Sequence, residues 1–175
     1  MSINLKILEI MKKTYLLVTI LLLSAYSCRA QMNELTQSEY YGIKINEVTF
    51  QEIYDTNADF TQMKALFGND LSYEFKNDIL ISKQFWNDDF DINFDSDEGT
   101  NYFPTFINIY DSSIIVKVKG IELRLGDDRS KFGSLPFNTN SKSYVFTDQD
   151  TRSTSLYFKI DETTDKIIEI SFFTL

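Results

Sequence analysis

The chain has 175 residues, with 17 Lys and Arg against 26 Asp and Glu, no histidine and a single cysteine. A Ser-His-acid triad, a Cys-His pair and a histidine-ligated zinc site are therefore excluded. The acidic balance repels phosphate backbones and anionic lipid surfaces, so nucleic acid is not an expected partner.

Met11, Lys12 and Lys13 lead into the apolar run Tyr15 to Leu23, and Cys28 follows shortly after Ser24-Ala25. This order predicts an export signal over residues 1–30, with translation starting at Met11. The run falls short of the roughly 20 apolar residues that cross a bilayer. Two processing sites compete. A cut before Cys28 would leave a sulfur able to carry a diacylglyceryl group; a cut after Ala30 would discard the cysteine. Ser27-Cys28 is similar to the end of bacterial lipoprotein signals, which favours lipidation of Cys28. The expected location is the periplasm or the outer membrane, held there by the lipid, with a secreted soluble protein as the alternative. Either way no second cysteine remains for a disulfide, so stability must come from an apolar core.

Removing residues 1–30 takes away four basic residues and one acid, leaving 13 basic and 25 acidic residues and a net charge of −12. The chain carries 15 Phe and 10 Tyr but only 2 Pro and 6 Gly, a composition able to bury a substantial core.

Residues 31–42 read as a polar tether. From Ile43 the pattern has period two (Ile43, Ile45, then Val48 and Phe50), which predicts short strands. Asp55-Thr56-Asn57 predicts a helix start; Phe60, Met63, Leu66 and Phe67 follow at helical spacing and Gly68-Asn69 stops them. Strands are predicted over 78–82, 90–94, 105–110, 114–118 and 121–125. Between the last two the apolar parity switches at Lys119-Gly120, as a tight turn requires. Gly126-Asp127-Asp128 predicts a short second helix with Phe132 and Leu135 buried. Strands over 144–147, 156–160 and 167–173 close the chain, the last two joined by the polar loop 161–165.

The two halves match in pattern. Ile43 to Phe50 aligns with Val116 to Leu123, Leu66 with Leu135, Ile79 with Val145, Phe90-Asp91-Ile92 with Leu156-Tyr157-Phe158, and Phe106 with Ile168. The expected fold is α+β: a curved antiparallel sheet with one or two short helices on one face, built as a degenerate tandem duplication of residues 43–112 and 113–175.

The segment Ile121 to Phe132, a strand ending at Gly-Asp and a short helix, together with the closing strands Leu156 to Phe173, resembles the repeats of beta-lactamase-inhibitor proteins and of small outer-membrane assembly lipoproteins. The resemblance implies a non-enzymatic protein that offers one sheet face to a partner. It assigns no binding residue, and the inhibitors' disulfides have no counterpart in this chain.

Asn87 to Gly99 is the densest acidic stretch. Asp91, Asn93, Asp95 and Asp97 invite comparison with a calcium loop, but Ser96 stands where a glycine is needed and no glutamate closes the loop. Phe90, Ile92 and Phe94 alternate with Asp91, Asn93 and Asp95, the pattern of a half-buried strand. No metal or cofactor is expected. The candidate contact residues are Phe85, Trp86, Asp88, Asp89, Asp91, Tyr102 and Phe103, because aromatic rings beside carboxylates suit a basic partner. The function expected is protein binding in the cell envelope without catalysis, in the form of an inhibitor or immunity protein for a basic partner. The alternative is an accessory lipoprotein of outer-membrane assembly, and a histidine-free hydrolase or calcium binder is the third reading.

Overall fold

The computed structural model describes residues 32–77, 81–150 and 153–174, so the predicted export signal, Met11 and Cys28 lie outside the described residues. Within them the chain is a sheet-dominated α+β fold. The strands are β1 (Asn33–Leu35), β2 (Lys44–Ile45), β3 (Val48–Thr49), β4 (Ser72–Asn77), β5 (Ile81–Trp86), β6 (Phe90–Ser96), β7 (Phe103–Ile109), β8 (Val116–Val118), β9 (Ile121–Leu123), β10 (Ser143–Asp148), β11 (Thr154–Asp161) and β12 (Lys166–Thr174). Three helices join them: α1 (Gln37–Tyr41), α2 (Phe50–Asp55) and α3 (Phe60–Phe67), with one 3-10 turn at Arg129–Phe132.

Eight strands form one sheet in the order β1-β10-β11-β12-β7-β6-β5-β4, and four form a smaller one in the order β3-β2-β8-β9. Only the β1–β10 pair is parallel among these pairings. In the large sheet the β7–β12 pair is central, with the antiparallel strands β6-β5 on one side and β11-β10 on the other; the outer strands differ, β1 pairing parallel and β4 antiparallel. The smaller sheet joins hairpin β2–β3 to hairpin β8–β9. Lys44 and Lys117, which align in the two halves of the sequence, are Cα partners across β2 and β8.

One face of the large sheet is the core. Phe85, Phe90, Phe94, Ile107, Phe158 and Phe172 are buried there and meet the covering elements. From α2, Phe50 stacks on Phe172 at 4.5 Å; from α3, Phe67 meets Phe90 at 4.8 Å; from the 3-10 turn, Phe132 lies 5.4 Å from Phe158. Ile45 and Val116 of the small sheet, with Ile107 and Ile109 of the large one, close around a void of only about 10 Å³. Each fully buried ring of this kind contributes about 1.5 to 3 kcal/mol of transfer free energy.

Local chemistry explains the helices. Thr36 and Thr49 each accept a hydrogen bond from the N–H three residues on, while Glu39 and Glu52 reach back to the N–H of Thr36 and Thr49. These are reciprocal capping boxes. Asp59, and not Asp55-Thr56-Asn57, caps α3 through Gln62 N–H, because α2 already occupies 50–55. The hairpin turn after β8 has φ of 50° at Lys119 and 76° at Gly120, the positive pair that a two-residue turn matching strand twist requires.

The tether expected over 31–42 is corrected for the described residues from Met32 on. Far from being a free tether, 33–41 form β1 and α1; Leu35 is fully buried, and Tyr40 packs edge-on against Phe50 at 5.0 Å. Of the strand predicted at 78–82, residues 81 and 82 open β5, which runs on to Trp86, and 78–80 lie outside the described residues. β5 pairs with β4, a strand the sequence reading did not place, from Ser72↔Trp86 to Asn77↔Ile81. Ile79 lies outside the described residues.

Candidate functional site

β6 explains how the acidic stretch is sorted. Its period-two pattern drives Phe90, Ile92, Phe94 and Ser96 into the core and leaves Asp91, Asn93 and Asp95 half-buried on the opposite face. A calcium loop would need these oxygens to converge on one point, whereas here they are strung along an extended strand. Asn93 Nδ2 instead donates to Asp95 Oδ1 at 2.9 Å.

The turn from β5 to β6 is built by Asn87. Its Oδ1 accepts the N–H groups of Asp89 (3.0 Å) and Phe90 (3.1 Å), and its own N–H donates to Phe90 O. This local bonding is what an Asx turn supplies. It holds Asp88 exposed and Asp89 half-buried next to Trp86, which is half-buried at the end of β5. Trp86, Asn87, Asp88 and Asp89 join Asp70 and Ser72 around a cleft of about 280 Å³. Asp91 adjoins it as the Cα partner of Trp86.

Asp91 carries the cleft toward the next strand. Tyr110, just past β7 and 54% exposed, donates its hydroxyl proton to Asp91 Oδ2 at 2.5 Å. Partial desolvation, and then the negative carboxylate that accepts its proton, raises the Tyr110 phenol above its ordinary value. Asp91 Oδ1 is buried and accepts no hydrogen bond among the described residues. Beyond Tyr110, Phe106, Leu125, Ile168 and Phe173 line a groove of about 390 Å³, with Phe106 and Phe173 in contact at 4.9 Å.

Among the described residues no ion pair involves the carboxylates of the cleft. Among the described residues the ion pairs lie in the small sheet (Lys44–Glu47, Lys117–Glu122), within β4 (Lys76–Glu74) and around β11 and β12 (Lys159–Glu169, Lys142–Glu162), with others near the 3-10 turn and α1. Asp70, Asp88, Asp89 and Asp91 enter none of them. Four carboxylates thus gather near a tryptophan and a tyrosine, none of them in an ion pair among the described residues.

The other contact candidates separate from this site. Phe85 is fully buried, touching Tyr73 at 5.1 Å and Phe94 at 5.6 Å, and is a core residue, not a contact. Its strand parity explains this: Phe85 faces the core while its neighbour Trp86 faces away. Tyr102 is 7% exposed, covered by the Lys83 ammonium 4.0 Å above its ring and tied by its N–H to Asn57 Oδ1. It too is corrected to a structural role. Phe103 is partly exposed but pairs with Asp95, about 13 Å along β6 from Asp91. It lines a different groove, of about 240 Å³, with Tyr40, Tyr41, Tyr54 and Pro104.

Tyr110 is the site residue that sequence reasoning missed. It follows the alternating segment Ile107-Asn108-Ile109, and only the antiparallel register that sets Asp91 opposite Asn108 brings it to the carboxylate.

Among the described residues no helix is long and apolar enough to cross a membrane. No family model, curated protein or solved structure matches the chain.

Proposed function

We propose that this protein is a non-catalytic binding module of the cell envelope that docks a basic protein on the face carrying Trp86, Asp88, Asp89, Asp91 and Tyr110. The observation behind this reading is the set of four carboxylates, Asp70, Asp88, Asp89 and Asp91, that cluster beside two aromatic rings and enter no ion pair among the described residues. An apolar ring flanked by desolvatable charge is the composition of a binding hot spot for Arg or Lys side chains.

The biological form we favour is an inhibitor or immunity protein, exported through residues 1–30 and held at the membrane by a lipid on Cys28. A membrane contact through that lipid alone suits a domain with so acidic a surface. The two-fold register of Lys44 with Lys117 supports taking 43–112 and 113–175 as repeats of a duplication. The second reading, an accessory lipoprotein of outer-membrane assembly, would share the same docking face.

The two readings part in the cell. An immunity role predicts that loss of the protein is harmless until its basic partner is expressed, whereas an assembly role predicts an envelope defect in its absence. Turnover of a sugar, ester or peptide by the purified protein, abolished by one aspartate substitution, would overturn both.

A further inference from the structure

The large sheet ends on β4, whose six residues are all exposed, and among the described residues its registered partner is β5 alone. The devices by which folded proteins blunt such an edge are scarce here: β4 has no proline and no bulge, and pairs regularly over its whole length. Apolar surface gathers at the same place. Tyr73 is 38% exposed, Phe75 49% and Phe60 of α3 37%, with the Phe60 and Tyr73 rings 5.2 Å apart. Tyr73 and Phe75 share the core-side face of the strand; Glu74 and Lys76 share the other, with Lys76 Nζ 3.2 Å from Glu74 Oε2.

We propose that β4 pairs antiparallel with β4 of a second copy of this chain, so that the two large sheets become one. This inference is independent of the acidic docking face. The strand is self-complementary about Phe75. With Phe75 on the two-fold axis, each Glu74 stands opposite Lys76 of the second copy, and each Tyr73 opposite Asn77. On the core-side face the two Phe75 rings meet, and Tyr73 and Phe60 flank them. On the other face two Glu–Lys pairs form. A shift of the pairing by one residue would flip every side chain to the wrong face, and a shift by two would set Glu74 opposite Glu74 or Lys76 opposite Lys76. Charge and side-chain parity therefore select the one register. The unpaired backbone N–H and C=O groups of the strand supply the hydrogen bonds, as in any strand addition.

Sedimentation velocity of the protein at rising concentration tests this. The wild type is expected to pass from monomer to dimer. Glu74→Lys sets lysine against lysine at two positions and is expected to weaken the dimer by roughly tenfold or more, and Lys76→Glu does the same with glutamates. Both side chains are about half exposed, so neither change should alter the fold. An equimolar mixture of the two variants restores opposite charges at both positions and is expected to recover the dimer. A wild type that stays monomeric would overturn the proposal, as would single variants that dimerise as well as the wild type, or a mixture that stays dissociated.

Discussion

Tyr110 reaches diagonally across two strands to Asp91: the Cα partner of Asp91 is Asn108, yet it is the hydroxyl two residues further on that donates to Asp91 Oδ2 at 2.5 Å. This bond joins the carboxylate cleft at the β5–β6 turn to the aromatic groove beyond β7. It also orients Asp91 so that one oxygen is satisfied and the other finds no donor among the described residues. Tyr110→Phe keeps the ring and removes the donor. The expected cost is about 1 kcal/mol of stability, together with weaker partner binding; urea denaturation measures the first and titration calorimetry the second.

Phe85 and Trp86 are sequence neighbours with opposite expected outcomes. Phe85→Ala empties a fully buried ring site in contact with Tyr73 and Phe94 and should cost about 3 to 5 kcal/mol. Trp86→Ala removes a half-buried ring from the cleft and should cost clearly less stability while lowering partner affinity. Chemical denaturation of both variants, beside binding of the second, separates the two roles. Equal destabilisation would place Trp86 in the core.

Leu35 tests whether β1 belongs to the fold. A residue in a free tether could be truncated at no cost. Leu35→Ala is expected to lose about 2 to 5 kcal/mol, because the side chain is fully buried beside β10. A shift in the denaturation midpoint with unchanged steepness would show it.

Acid should weaken the molecule through its caps and turns. The Glu39 and Glu52 carboxylates are held below their usual 4.5, first by the backbone N–H groups of Thr36 and Thr49 that they accept. Asp111 and Asp161 lie below 3.8, first through the N–H groups of Ser113 and Thr163. A depressed folded pKa gives stabilisation that is complete above the unfolded value and is lost as pH falls through the folded one. Stability should therefore decline from about pH 4.5 downward. Thr49→Ala should remove about 1 kcal/mol at neutral pH, and Glu52→Gln, which takes away the titrating carboxylate, should make the acid decline shallower, as melting across pH would reveal.

Much of the fold could be read from the sequence because its signals are local. Alternation in Phe90 to Phe94 marked β6, the parity switch at Lys119-Gly120 marked the β8–β9 hairpin, and Gly68 marked the end of α3. Other elements were missed for identifiable reasons. Thr36-x-x-Glu39 and Thr49-x-x-Glu52 are legible capping boxes, yet the helices behind them span only five and six residues, too short to show helical periodicity. Period two across Val48 and Phe50 then read as strand. β4 escaped notice because a strand exposed on both faces has no buried side to impose alternation.

The site was legible in part. Trp86, Asp88, Asp89 and Asp91 do come together, since one hairpin carries them all. Phe85 and Tyr102 could not be told from contact residues without knowing which way each strand faces. Tyr110 enters only through long-range pairing, which composition and spacing do not encode.

Docking of a basic protein by the carboxylates beside Trp86 can be measured outright. The protein and its Asp88→Asn/Asp89→Asn/Asp91→Asn variant are each immobilised, and a partner recovered from envelope extract is titrated onto both across a range of salt. The expected partner is basic, its affinity for the wild type falls as salt rises and is largely lost with the variant, and a control with Asp97→Asn/Glu98→Gln binds as the wild type does. A partner that binds the variant and the wild type alike, or no recovery at low salt, would contradict it.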